Sequence, residues 1–211
     1  MTRRARILLA DDHTLVSEAL ARLLEPRFEV VATVADGRSL LKAATELAPD
    51  VVIVDIAMPT LNGLDAAREL MTATPACKLI FLTMAQDPEL AREAFRIGAS
   101  GYLLKTSAGR ELLQAVDSAL LGQRYVTPAL RRATESAAGE REKSHGAQLT
   151  PRQREILRLL AEGSSMKQVA GALGLTTRTV AFHKYQIMGK FRLGSNAELI
   201  QFAIRQGVIA P

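Results

Sequence analysis

The chain has 211 residues, 48% hydrophobic and 23% charged, a globular composition that excludes overall disorder and suffices for one large or two small domains. Its longest apolar runs, such as Leu79–Leu82 and Val51–Val54, are four residues long, against the roughly 20 that a membrane span needs. The basic start at Met1–Arg6 leads into an apolar block, Ile7–Ala10, too short for a secretory leader, so a cytoplasmic protein with no membrane partner is expected. One cysteine, Cys77, excludes an internal disulfide, and the scattered His13, His145 and His183 lack metal-ligand spacing.

The net charge of +5 is unevenly divided. Residues 1–127 hold 14 Lys and Arg against 16 Asp and Glu, giving −2, whereas residues 149–211 hold 9 against 3, giving +6. A slightly acidic front and a basic rear imply two modules with different partners, and a polyanion suits the second.

In chain order, β-rich apolar runs recur at Arg6–Ala10, Glu29–Ala35, Val51–Asp55, Lys78–Thr83 and Gly101–Lys105. Between and after them, apolar residues at helical spacing (Leu15, Leu20, Leu24; Leu40, Ala44, Leu47; Leu64, Ala67, Leu70; Leu90, Ala94, Ile97; Leu112, Val116, Leu120) predict five helices. A run such as Val51–Val54 is apolar on both faces, as in a parallel sheet between two helix layers. The front module is therefore expected to be doubly wound α/β with five strands.

Ligands of such sheets sit beyond the carboxyl ends of the strands. Asp11 and Asp12 end the first strand, Asp55 the third, Thr83 the fourth and Lys105 the fifth. Gathered carboxylates need a cation, and a hard divalent ion with oxygen ligands, Mg²⁺, is expected. No dinucleotide fingerprint or Walker-type phosphate loop is present. Each of these residues alone could be a cap or turn residue; their coincidence is harder to explain that way.

These residues lie in motifs, Leu8-Leu9-Ala10-Asp11-Asp12-His13, Asp55-Ile56-Ala57-Met58-Pro59 through Gly63, Leu82-Thr83 and Gly101-Tyr102-Leu103-Leu104-Lys105. Through them residues 5–122 resemble the receiver domain of bacterial two-component response regulators, a flavodoxin-like fold. The resemblance implies that Asp55 accepts a phosphoryl group from a sensor histidine kinase. It implies Mg²⁺ held by Asp11, Asp12, Asp55 and the backbone carbonyl of Ala57, phosphoryl oxygens held by Thr83 and Lys105, and a switching role for Tyr102, whose ring enters space that Thr83 vacates. The chain departs from the pattern at Thr106, where many receivers have proline, which leaves the geometry of the Lys105–Thr106 bond open. Small residues at Ala57 and Ala85 leave room for water beside the pocket.

Residues 125–148, rich in Ala, Glu, Arg, Ser and Gly, read as a linker with partial helix around 129–138. Order resumes with a capping box, Thr150 with Gln153, and Pro151 at the first helical position. Further helices are expected to start at Ser164 or Ser165, at Thr176 or Thr177, and at a second capping box of Ser195 and Glu198. Two short helices around Leu173-Gly174-Leu175, the second basic, form a helix-turn-helix pattern. Residues 149–209 resemble the LuxR-type DNA-binding domain of the NarL/FixJ response regulators, by Thr150 through Leu157, Val169-Ala170, and Thr179-Val180 through His183. The resemblance implies that the helix Thr177–Phe191 enters the major groove and that the last helix pairs two copies.

In that helix Val180, His183, Ile187 and Phe191 form the inward stripe, with His183 at its edge, and Arg178, Ala181, Phe182, Tyr185 and Gln186 point outward. The expected DNA-binding set is Lys167, Thr177, Arg178, Thr179, Ala181, Phe182, His183, Lys184, Tyr185 and Lys190, the cations on phosphates and the aromatics on thymine methyls or sugars. Many relatives carry lysine at Ala181 and a smaller residue at Phe182, so base preference should differ.

The organisation expected is thus α/β then all-α: receiver 1–124, linker 125–148 and a four-helix DNA-binding domain 149–211. The function expected is a DNA-binding regulator of transcription, switched at Asp55 and homodimeric when phosphorylated. It is not an enzyme beyond gaining and losing its own phosphoryl group. The rivals are a regulator with a phosphorylation-independent receiver, an aspartyl phosphatase and a protein-docking adaptor. The intact strand-end set argues against the first, and Ala57 in place of a second Asp against the phosphatase.

Overall fold

A computed structural model describes residues 3–84, 86–131 and 149–209. The chain divides into two compact units, 1–138 and 139–211.

The first unit alternates strand and helix: β1 (Arg6–Ala10), α1 (Thr14–Leu24), β2 (Glu29–Val34), α2 (Gly37–Leu47), β3 (Val51–Asp55), α3 (Gly63–Ala73), β4 (Lys78–Thr83), α4 (Pro88–Ile97), β5 (Gly101–Leu104), α5 (Ala108–Leu120) and β6 (Tyr125–Val126). All strands pair in parallel in the order β2-β1-β3-β4-β5-β6. Every residue of β3 is buried, as its unbroken apolar run requires, while edge strand β2 is only half-buried. Ile7, Leu9, Ile53, Ile80 and Leu82 pack against Leu112, Ala115, Val116 and Ala119 of α5. Side-chain caps start three helices at the functional edge: Asp36 accepts from Arg38 N and Ser39 N, Asn62 from Asp65 N, and Asp87 from Glu89 N.

The sheet has six strands where the sequence predicts five. Strand β6 lies in the segment expected to be linker, because two residues carry no readable alternation. Its pairing is tertiary: Gly101 and Tyr102 of β5 stand opposite Tyr125 and Val126. Beyond it Thr127 and Leu130 are buried. Thr127 N donates to Tyr102 O at 3.1 Å, and its hydroxyl meets Leu104 N at 3.2 Å, Ser107 Oγ at 3.4 Å and Glu111 Oε2 at 2.8 Å. Residues 128–131 form a helical turn, and the rest of the helix expected around 129–138 lies outside the described residues.

The second unit contains α6 (Pro151–Ala161), α7 (Met166–Leu173), α8 (Thr177–Phe191) and α9 (Asn196–Arg205). Capping boxes start α6 at Thr150 with Gln153 and α7 at Ser165 with Gln168, and Thr176 caps α8. At α9 the expected box is incomplete: Ser195 accepts from Glu198 N, but the Glu198 carboxylate accepts from Gly194 N at 2.9 Å. Gly174, at φ 63°, ends α7 in the left-handed conformation that glycine adopts without strain. Among the described residues two apolar clusters hold the unit, one of Ile156, Val169, Ala170 and Val180, the other of Leu157, Ile187, Leu199, Phe202 and Ala203. Among the described residues no helix is long and apolar enough to cross a membrane.

Candidate functional site

Parallel register brings the strand ends together, since Ala10 stands opposite Val54, Asp55 opposite Leu82 and Thr83 opposite Leu104. Side chains just beyond these positions share one edge. Lys105 Nζ lies 2.7 Å from Asp11 Oδ2 and 2.8 Å from Asp55 Oδ2, and the three side chains are only 6%, 3% and 2% exposed. Burial pushes the Asp55 carboxyl above its ordinary value, against the pull of the Lys105 ammonium and the Ala57 N–H, and the Asp11 charge adds to the rise. Ala57 N donates to Asp55 Oδ1 at 3.0 Å. The loop beneath is held by Gly63 N donating to Ile56 O at 3.0 Å. A Cβ on Gly63 would stand 2.1 Å from Asp55 O, so only glycine allows the start of α3 to approach β3 this closely.

Asp12 completes an acidic group in which Asp11, Asp12, His13 and Asp55 each offer a ligand atom, all within 4.8 Å of one another. With the carboxylates ionised, three negative charges face one ammonium, −3 + 1 = −2. A divalent cation would balance that charge, and the oxygen donors suit a hard one. His13, passed over in the sequence for want of metal-ligand spacing, belongs here. Its N–H donates to Asp11 Oδ1 at 2.9 Å, and its Nδ1 lies 3.1 Å from Asp11 Oδ1 and 3.0 Å from Asp12 Oδ1. Adjacency to the acidic pair was the signal that could have found it.

Thr83 ends β4, buried, and Tyr102 of β5 is wholly buried, its ring centroid 6.5 Å from that of Phe81. Burial, then the nearby Asp87 carboxylate, push the Tyr102 phenol far above its ordinary value, and Thr83 pulls it back. The ring is thus interior, with Thr83 beside its phenol. No cis peptide bond occurs among the described residues, Lys105–Thr106 included. Ala85 lies outside the described residues.

In the second unit, helix α8 buries Thr179, Val180, His183 and Ile187. Two expected DNA-contact side chains are thereby withdrawn. His183 is 0% exposed inside the unit, and Thr179 is spent on the cap, its N–H donating to Thr176 Oγ1 at 3.1 Å and its hydroxyl 2.9 Å from the same atom. The spacing 179, 183, 187 already places both on the buried stripe. Thr177, Tyr185 and Lys190 are exposed on α8, as is Lys167 on α7, while Arg178, Ala181, Phe182 and Lys184 are half-buried. Tyr185 is 61% exposed with Lys184 Nζ 5.4 Å from its ring centroid. A large aromatic beside cations on one helix face is the pattern of a surface that meets nucleic acid.

Comparison with known proteins gives two family matches, the response regulator receiver domain over residues 7–117 and the bacterial regulatory proteins of the luxR family over residues 147–203. The chain is similar to response regulator GacA of Pseudomonas aeruginosa, 31% identical over 208 residues, 97% of each chain. It is also similar to response regulator UvrY of Escherichia coli K12, 32% identical over 206 residues, 96% of this chain and 94% of that one. Among solved structures, RcsB of Salmonella enterica serovar Typhimurium, bound to promoter P1flhDC in the presence of phosphomimetic BeF3⁻, superposes with a TM-score of 0.63. It is 25% identical and covers 95% of this chain and 98% of its own.

Proposed function

Because the chain belongs to the two-component response regulators, with a receiver domain followed by a LuxR-family domain, we propose that it is a DNA-binding transcription regulator switched by phosphorylation of Asp55. The observation that carries this reading is the buried Asp11–Lys105–Asp55 arrangement, with Thr83 on the neighbouring strand end.

Asp55 is the nucleophile: the bond from phosphorus to the kinase histidine nitrogen breaks as the bond to the Asp55 carboxylate oxygen forms. Asp11, Asp12, Asp55 and the backbone carbonyl of Ala57 would hold Mg²⁺, which would supply charge neutralisation for the incoming phosphoryl group. Lys105 exchanges part of its contact with Asp55 for a phosphoryl oxygen, and the Thr83 hydroxyl donates to another. That shift changes the polar surroundings of Tyr102 and so biases β5 and the surface it shares with α4 and α5. Loss of the phosphoryl group to water is the only other chemistry of the site. In the second unit Arg178, Lys184, Lys190 and Lys167 meet phosphates, and Phe182, Tyr185, Ala181 and Thr177 meet bases or sugars. Two copies pair on half-sites about one helical turn, roughly 10 base pairs, apart. The protein acts in the cytoplasm.

Binding of duplex DNA is measured with Mg²⁺, with and without a small-molecule phosphodonor, beside Asp55→Asn. Tightening by the donor, absent in Asp55→Asn, is expected. Equal affinity in every sample would overturn the switch and leave a constitutive DNA-binding protein.

A further inference from the structure

We propose that residues 124–130 form a strap that carries the state of Asp55 out of the receiver: Thr127 holds the strap on β5 in the unphosphorylated protein, and phosphorylation loosens it and so favours DNA binding. The inference rests on the phosphorylation reading above and assigns the output of that switch.

The strap is held from α4, β5 and α5, the surface that the switch biases. From α4, the Phe95 ring centroid lies 5.4 Å from the Arg124 guanidinium. From β5 and the residue before it, Tyr102 O accepts from Thr127 N at 3.1 Å and Ser100 O from Tyr125 N at 2.9 Å. From α5, the Glu111 carboxylate accepts from the Thr127 hydroxyl at 2.8 Å and from the Tyr125 hydroxyl. Burial, then that carboxylate, raise the Tyr125 phenol above its ordinary value. Leu130, wholly buried, closes the segment.

Thr127 is the point at which this pairing changes character. A parallel ladder continued past it would give Leu104 N to the Thr127 carbonyl. That carbonyl instead accepts from Leu130 N at 2.9 Å and Arg131 N at 3.1 Å, which starts a helical turn, and Leu104 N donates to Thr127 Oγ1 at 3.2 Å. The last rung between β5 and the strap is therefore a side-chain bond. The same hydroxyl gives its proton to Glu111, and it is 2% exposed as a residue, so a lost partner is not readily replaced by water. Leu104 directly precedes Lys105, whose Nζ binds Asp11 and Asp55 and whose N–H donates to Thr83 O at 2.7 Å. When Lys105 and Thr83 turn to the phosphoryl group, the Leu104 amide moves with them while Glu111 stays on α5, and the Thr127 hydroxyl cannot follow both. The two-residue strand β6 is then left with its backbone bonds alone. Release adds residues 124–130 to the connection that leads to α6, which widens the half-site separations that two DNA-binding units can reach.

The test uses the full chain with Mg²⁺, with and without acetyl phosphate, in wild type, Asp55→Asn, Thr127→Val, Thr127→Ser and Arg124→Ala. Amide exchange is read by NMR and duplex DNA affinity by titration. In wild type the donor should speed exchange at Thr127 N and Leu104 N by about tenfold or more, and in Asp55→Asn it should not. Thr127→Val, which lacks the hydroxyl, should bind DNA without donor to within about threefold of donor-treated wild type. Thr127→Ser should restore donor dependence. Arg124→Ala, at an exposed residue, should shift donor-free affinity in the same direction by a smaller factor. Asp55 should be phosphorylated at least as fast in these variants as in wild type, because a loosened strap favours phosphorylation by linkage. A merely structural Thr127 would instead lower DNA affinity or leave it unchanged. If Thr127→Val fails to melt cooperatively, Arg124→Ala decides. Donor that tightens DNA binding by wild type without speeding exchange at Thr127 N would overturn the strap and leave the phospho-switch standing. So would variants that need the donor as much as wild type does. Donor that changes neither affinity nor exchange in wild type would overturn the switch itself, and the strap with it.

Discussion

The two working regions treat charge in opposite ways. At the strand edge of the receiver, Asp11, Asp55 and Lys105 are drawn out of water onto one another. On α8 the exposed groups, Tyr185 and Lys190 among them, face solvent while a stripe of Thr179, Val180, His183 and Ile187 faces the core. The first arrangement stores a large, local imbalance that one added ligand can reset, as a switch requires. The second spreads small contributions along a surface, each screened by salt, as recognition of a polyanion requires. Burial therefore separates the sensing chemistry from the binding chemistry more sharply than residue type does, since both regions rely on charged side chains.

The strongest challenge to this contrast is Lys105→Met. Removing one partner of a buried ionic group costs about 3 to 5 kcal/mol, because the remaining charges are left uncompensated. Metal-free Lys105→Met should melt well below wild type at neutral pH and recover on addition of Mg²⁺. The pH dependence has a definite sign. Asp55 already titrates above its ordinary value in the presence of Lys105, and without that ammonium it rises further. A raised folded-state value makes the contribution to stability greatest below the unfolded value and removes it as pH climbs through the folded one. The deficit of the variant should thus shrink on acidification, and thermal melts from pH 4 to 8 check it. A constant deficit would mean that Lys105 matters for packing and not for charge.

A smaller effect is expected where the chain leaves the receiver. Thr127→Val keeps the shape but leaves Leu104 N and Glu111 short of a partner, at a cost of about 1 to 3 kcal/mol. Strand β6 should fray with it, which hydrogen exchange at Thr127 N, bonded to Tyr102 O, would report. Unchanged exchange there would show that pairing with β5 survives on backbone bonds alone.

On α8 the changes should be weaker and of a different kind. Lys190→Ala and Lys184→Ala should leave the melting temperature nearly unchanged. Each should reduce the slope of log affinity for DNA against log salt by about 0.9 where a phosphate contact is lost. Tyr185→Ala should weaken binding without altering that slope. If Tyr185→Ala lowered the melting temperature as Lys105→Met does, the distinction between an exposed binding face and a buried switch would fail.

The smallest change is expected at Cys77, at the opposite end of β4 from Thr83. Burial raises its thiol to about 11, so at pH 8 about one thiol in a thousand is thiolate. Alkylation should be slow in the native state and should not respond to phosphodonor. Donor-dependent labelling would show that the switch propagates through the whole strand.

Much of this was legible beforehand. The βα alternation, the placement of Asp11, Asp12, Asp55, Thr83 and Lys105 at strand ends, and the caps at Thr150 and Thr176 follow from apolar period and capping chemistry, which act over a few residues. These determine which segments become helix or strand and which side chains arrive at strand ends. What only the tertiary structure decided concerns pairs distant in sequence or faces set by packing. Two residues at Tyr125–Val126 become a strand because β5 offers an open edge. His183 and Thr179, chemically suited to DNA, are consumed by the core and by a helix cap. His13, undistinguished by spacing, meets two carboxylates because the chain turns into α1 there. Local propensity is written in neighbouring residues, but burial and pairing depend on where other segments stop, and that is settled only when the whole chain has folded.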